Sequence, residues 1–176
     1  MKLSLFSASA LVVATALAVG CSESPSGDPP GPLTFNSDPG TNAAAEVYLE
    51  GRTEGDRVIV DVIAKGVKDV HGTAFRVKWD PEVLTLASAT ASDTWSTQAI
   101  LLSKEALPGT LAIAWAEKGE AVGHDATEPL VLGTLTFDAK GRKGSAVSFR
   151  TERSAIVDHA GKTQSVSWRA GNVPAR

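Results

Sequence analysis

The sequence predicts an all-β sandwich behind an export signal and a proline-rich tether. Three observations carry that reading. From Glu46 onward, short apolar and β-branched runs are separated by Gly, Pro and Asp, at the spacing of a sandwich. Several runs alternate apolar with other residues, the period of a half-buried strand. No long stretch of the sequence places apolar residues at i, i+3, i+4 and i+7, the pattern an amphipathic helix needs.

Taken in order, the predicted strands are 46–50, 57–64, 73–79, 83–89, 95–103, 110–117, 130–139, 146–150, 155–158 and 164–168. Gly51, Gly55, Gly66, Asp80-Pro81, Pro108-Gly109, Gly141, Gly144 and Gly161 punctuate them. Within 73–79, Phe75, Val77 and Trp79 alternate with Ala74, Arg76 and Lys78, so the first set is expected to face the core. Val58, Val60 and Val62 repeat the pattern around Asp61, as do Val147 and Phe149 around Ser148. In 110–117 the bulky face is Leu111, Ile113 and Trp115, and the other is a flat alanine surface of Ala112, Ala114 and Ala116.

Before the sandwich, Met1-Lys2 supplies one positive charge and an uncharged Ala, Leu and Val stretch follows, the build of a secretory signal over 1–20. It runs into a Pro, Ser and Gly segment without a basic stop-transfer cluster, which disfavours a permanent membrane span. The single Cys stands at its end in Leu17-Ala18-Val19-Gly20-Cys21, which resembles the bacterial lipobox. That resemblance implies acylation of Cys21, with several fatty chains each burying methylenes at about 0.8 kcal/mol. Ser22 rather than Asp after the Cys favours, by resemblance to envelope-sorting rules, the outer over the inner membrane. Residues 21–45 then hold five of the nine prolines and almost no apolar period, a tether reaching on the order of 70 Å at about 3 Å per residue. Leu33 and Phe35 are its two residues able to dock on the domain.

Composition narrows the functional classes. Seventeen Lys and Arg against twenty Asp and Glu give a formal charge of −3, without the basic excess of a nucleic-acid binder. One Cys excludes an internal disulfide and a Cys-rich zinc site. His71, His124 and His159 fall in or beside predicted turns, and no HxH or HExxH spacing joins them, so no metal site or cofactor is expected. There is no GxSxG and no Gly-rich phosphate loop after a strand, which argues against an enzyme.

Gly72 to Leu84, GTAFRVKWDPEVL, resembles the cohesin signature of an aromatic-rich strand leading through Asp-Pro into a second strand. Gly55-Asp56-Arg57-Val58, Lys65 to Val67, Gly109 to Glu117 (GTLAIAWAE), Leu132 to Lys140 (LGTLTFDAK) and Ile156 to Val173 follow in the family's order, so the resemblance covers about 46–173. It implies a nine-stranded jelly-roll sandwich, related to a class of cellulose-binding modules, that in cellulosomes grips a small calcium-binding dockerin. Carried over by position, the family's partner contacts fall on Gly72, Ala74, Ala114 and Glu117. The well-known type I pattern has Asn and Asp where Gly72 and Ala74 stand here, and it matches at Glu117.

Strand parity and the resemblance together give an expected partner-binding face of Ala74, Arg76, Lys78, Ala112, Ala114, Ala116, Glu117 and Arg150. Basic stems beside a flat alanine surface suit a protein partner with an apolar centre and an acidic rim. The expected function is that of a lipid-anchored module holding a protein partner, a dockerin-like domain foremost, at the bacterial envelope in connection with polysaccharide degradation. Two other readings stand beside it. One is direct carbohydrate binding through Trp95 and Trp168, which lie at strand ends where an aromatic can be half exposed. The other is self-assembly into a structural envelope protein through an exposed strand edge.

Overall fold

The computed structural model describes residues 31–41 and 43–176. The signal, Cys21 and the first part of the tether lie outside the described residues. In chain order the strands are β1 (Asn36–Ser37), β2 (Glu46–Glu54), β3 (Arg57–Lys65), β4 (Val67–Val70) and β5 (Gly72–Lys78). They continue as β6 (Leu84–Ala91), β7 (Ile100–Leu107), β8 (Thr110–Ala116), β9 (His124–Ala126) and β10 (Leu130–Ala139). The closing region holds β11 (Ser145–Phe149), one 3-10 turn at Thr151–Arg153, β12 (Ala155–Val157), β13 (Thr163–Gln164), β14 (Ser167–Arg169) and β15 (Gly171–Val173).

Two sheets enclose one core. The larger runs β1-β15-β11-β5-β12-β13, with β8 pairing β5 and β7 pairing β8, and the smaller runs β14-β2-β3-β10-β6. A two-stranded ribbon, β4 with β9, joins neither. The nine strands implied by the resemblance appear as fifteen segments, partly because the closing path is interrupted. β11 and β12 lie end to end along one side of β5, where Phe149 opposes Val77 and Ala155 opposes Ala74, and the 3-10 turn separates them.

The alternation read in the sequence decides what is inside. Val58, Val60 and Val62 of β3, Phe75 and Val77 of β5, and Leu111, Ile113 and Trp115 of β8 are all buried, with Leu135 and Phe137 of β10 among them. Phe75 meets Trp115 edge-on at 5.7 Å between ring centroids, and Trp79 meets Phe137 at 5.2 Å across the two sheets. The indole N–H of Trp79 donates to the Leu84 carbonyl at 3.0 Å, so its one polar atom is satisfied. Asp80-Pro81 makes the expected turn, with Asp80 Oδ1 accepting from the Glu82 N–H and the Asp80 carbonyl accepting from Val83 and Leu84. Gly133 is required by close approach, since a Cβ there would come within 2.3 Å of the Trp115 ring.

Two segments differ from expectation. Leu33 is buried, Thr53 Oγ1 donates to its carbonyl, Phe35 packs against the core cluster, and β1 pairs β15. Among the described residues, packing on the domain therefore reaches back to Leu33, about a dozen residues before Glu46. The strand expected over 95–103 starts at Ile100 and runs to Leu107, because Trp95 to Ala99 are drawn into a turn closed by the Ala99 N–H on the Ser96 carbonyl.

Trp79→Ala should lower stability by roughly 3 to 5 kcal/mol, whereas Lys78→Ala on the exposed side of the same strand should change it by less than about 0.5 kcal/mol. Denaturant midpoints of the two variants check this, and equal shifts would contradict the assignment of the two faces.

Candidate functional site

Antiparallel register assembles the outer face of the larger sheet in rows, because directly opposed residues share a side. Ile100, Ala116, Gly72 and Val157 form one row across β7, β8, β5 and β12. Leu102, Ala114, Ala74 and Ala155 form the next, and Lys104, Ala112 and Arg76 the third. Lys78 follows, opposite Thr110 and Ser148. The face thus grades from apolar to basic along the strands. Ile100 is 50% and Leu102 61% exposed, well above what their chemistry favours. Between them and β12 lies a shallow depression of about 210 Å³, lined in part by Gly72, Ala74, Ile100, Ala114, Ala116 and Val157.

Gly72 is the floor of that depression. A Cβ there would stand 3.1 Å from Val157 Cγ2 and 3.2 Å from Ala116 Cβ, so a larger residue needs its neighbours to move. The outer face of the smaller sheet is different in kind. Glu50, Asp61 and Thr134 oppose one another across β2, β3 and β10, with Asp61 accepting from Arg52 Nη1 at 2.9 Å and from the Thr134 hydroxyl. Around Asp61 that face is polar and internally paired, while Tyr48, Ile63 and Val131 oppose one another further along it.

The expected binding residues divide into three groups. Ala74, Arg76, Lys78, Ala112, Ala114 and Ala116 lie together on the outer face as parity requires. Arg150 is beside them, its N–H donating to the Arg76 carbonyl, but its guanidinium pairs with Glu152 at 3.1 Å. The third cation of the face is instead Lys104, which the sequence reading missed along with Ile100 and Leu102. The run Ile100-Leu101-Leu102 was the available signal, obscured by starting the strand at Trp95. Arg76, Lys78 and Lys104 form no ion pair among the described residues.

Glu117 is the correction. It is 5% exposed, the one charged side chain in the buried class among the described residues, and so presents no carboxylate to a partner. Its Oε1 accepts from the Ser96 N–H at 2.8 Å and from His124 Nε2 at 2.8 Å, and its Oε2 accepts from the Ser96 hydroxyl. Burial alone pushes the carboxyl up, and the donors on Ser96 and His124 outweigh it, holding Glu117 below the ordinary value. His124, expected in a solvated turn, is half-buried in β9 with its ring edge-on to Trp95 at 5.5 Å.

Of the two tryptophans expected at a sugar surface, Trp95 is packed inward and Trp168 is half-buried. Trp95 is 5% exposed with its indole N–H on the Leu132 carbonyl at 2.8 Å. Trp168, opposite the buried Val47 in the parallel β14–β2 pair, packs on Phe149 at 4.9 Å and Phe75 at 6.1 Å. A strand end exposes an aromatic only when nothing covers it, and here the opposing sheet does. Elsewhere, Asp69, at φ 55, accepts from the backbone N–H and ring Nδ1 of His159, and the hydrogen bond raises the His159 pKa. Among the described residues no three His, Cys, Asp or Glu side chains converge as metal ligands.

The model of the cohesin domain family matches residues 47–172, and the chain belongs to that family. Its fold is shared with the sixth cohesin of scaffoldin B from Acetivibrio cellulolyticus, solved in complex with a Cel5 dockerin, at TM-score 0.61 and 16% identity over 82% of this chain and 97% of that one. A cohesin module from a Clostridium perfringens family 33 glycoside hydrolase aligns at TM-score 0.60 and 14% identity, covering 74% of this chain and 95% of that one. A non-cellulosomal cohesin from Archaeoglobus fulgidus aligns at 0.55 and 12% identity, over 72% and 86%. No curated protein matches the sequence.

Because the Glu117 pKa is lowered on folding, its contribution to stability is complete above the unfolded value, about 4.3, and is lost as pH falls through the folded one. The stability difference between the wild type and Glu117→Gln should therefore shrink on acidification from about pH 7 to about pH 3. Asp69, Asp125 and Glu152, also lowered, titrate in both proteins and cancel in the difference. A constant difference across that range would contradict the assignment.

Proposed function

We propose that this chain is an exported, lipid-anchored module of the cohesin type that holds a dockerin-like protein partner on the outer face of β5, β8 and β7. The observation that carries the reading is the contrast between the two outer faces: the middle of the smaller sheet holds polar groups that pair with one another around Asp61, whereas the larger sheet is apolar with unpaired cations at one end. With about half of each side chain still in water, burying Ile100 and Leu102 against a partner is worth roughly 1 to 2 kcal/mol each. Arg76, Lys78 and Lys104 add register and encounter rate with an acidic rim. Gly72 and Ala74 in place of the type I Asn and Asp make the centre of this face apolar, so the partner should meet it with small apolar side chains. Of the aromatics expected to meet carbohydrate, Trp95 is in the core and Trp168 is half-covered by Phe75 and Phe149. Acylated Cys21 supplies the anchor to the bacterial envelope, the outer membrane by the identity of Ser22, and the assembly serves polysaccharide degradation.

The test uses residues 31–176 as bait in an extract of the native organism, with captured proteins identified by mass spectrometry. A dockerin-bearing protein should be retained by the wild type and lost with Ala114→Arg, which sets a bulky charge at the centre of the face. Arg76→Glu should weaken retention in a salt-dependent way. A partner indifferent to both substitutions contradicts the face assignment. For the anchor, Cys21→Ala should abolish fatty-acid labelling and leave an unprocessed precursor in the membrane. A processed, soluble wild type with a free thiol would contradict it.

A further inference from the structure

Strand β7 carries the two largest apolar side chains of the binding face, yet no side chain of its own anchors it in the core. All eight of its residues are exposed, and in the sheet it pairs with β8 alone. Its position therefore depends on the ladder to β8, on its two ends and on few side-chain contacts, one being the Trp115 indole N–H on Ser103 Oγ at 3.2 Å. At the far end the tight connection to β8 is closed by the Gly109 N–H on Glu105 Oε1 at 3.1 Å. At the near end the chain arrives from the smaller sheet through Trp95 and Ser96. Trp95 is buried, and Ser96 gives both its N–H and its hydroxyl to the Glu117 carboxylate. The Ser96 carbonyl then closes the turn that delivers Ile100 opposite Ala116, the residue immediately before Glu117.

We propose that Glu117 positions β7, and through it Ile100 and Leu102, by clasping Ser96 and His124 beneath the binding face, and is not itself a residue the partner touches. A buried carboxylate is costly unless every lone pair facing the interior is met, and three donors from two separate segments meet this one. Two of those donors come from one residue, so the carboxylate fixes both the place and the orientation of the turn that launches the strand. Glu117 directly follows β8, which is itself fixed by Trp115 in the core. The clasp therefore ties an exposed edge strand to one anchored in the core. The inference rests on the proposed binding face only for its consequence in affinity, since the positioning exists without a partner.

Amide hydrogen exchange on the full chain in detergent, read by mass spectrometry without any partner, tests it. In Glu117→Leu the donors of Ser96 and His124 lose their acceptor, and peptides covering 96–107 should exchange about tenfold faster or more, while those from β3 and β10 stay as in the wild type. Glu117→Gln keeps a side-chain oxygen in place and should stay within about threefold of the wild type. Ser96→Ala removes one donor from an exposed residue and should show the same local pattern at smaller size. It decides the matter if Glu117→Leu does not fold. Unchanged exchange over 96–107 in the folded variants, or an increase spread evenly through the sandwich, would overturn the proposal. Because no partner is present, a failed dockerin capture leaves this result standing, and the converse holds as well.

Discussion

Trp115 sits edge-on to Phe75 in the middle of the core, and a Cβ on Gly133 of the opposite sheet would collide with its ring. That contact fixes the side on which β8 and β5 present each residue. Since side chains alternate strictly along a strand, a slip of one position would carry Trp115 and Phe75 to solvent and the alanines inward. Rough energetics settle the choice: burying one large side chain is worth about 1.5 to 3 kcal/mol, and several are at stake. The flat outer face follows from the packed inner one.

What the outer face then offers depends on which strands lie beside β8. β5 contributes Gly72 and Ala74 at the apolar end and Arg76 and Lys78 at the other, while β7 contributes Ile100, Leu102 and Lys104 in matching order. The gradient from apolar to basic therefore runs along the strands in β5 and β7, on either side of the alanines of β8. On the other sheet the same architecture carries Asp61 bonded to Arg52 and Thr134, groups that satisfy one another. A surface whose polar groups are already paired gains little by being covered. One that exposes Leu102 beside alanine gains a good deal.

Much of this was legible in the alternation of 57–64, 73–79 and 110–117, where period and burial coincide and the core side can be read directly. The alanine face and its two flanking cations on β5 followed from the same parity. β7 was not legible, because an edge strand with no buried side has no apolar alternation to reveal it and its start is fixed by a tertiary bond from Glu117 to Ser96. Trp95 and Trp168 were misplaced for a related reason: their burial comes from segments distant in sequence, Leu132 for one and Phe75 for the other. Leu33 and Phe35, two apolar residues in a proline-rich stretch, carry no periodic signal, yet they pack on the sandwich and β1 completes the sheet edge. Glu117 was expected at the partner surface, and nothing nearby in the sequence supplies the donors that bury it.

The central claim is that the apolar-to-basic outer face of β5, β8 and β7 is where a protein partner sits. Its most direct test is a chemical-shift titration of the isotope-labelled domain with the dockerin module of the captured partner, recorded at low and high salt. Shift changes centred on the amides of Ala74, Leu102 and Ala114, fading toward β2, β3 and β10, are the result the account predicts. Changes centred on the Asp61 face of the smaller sheet, or on the loops around Trp168, would contradict it.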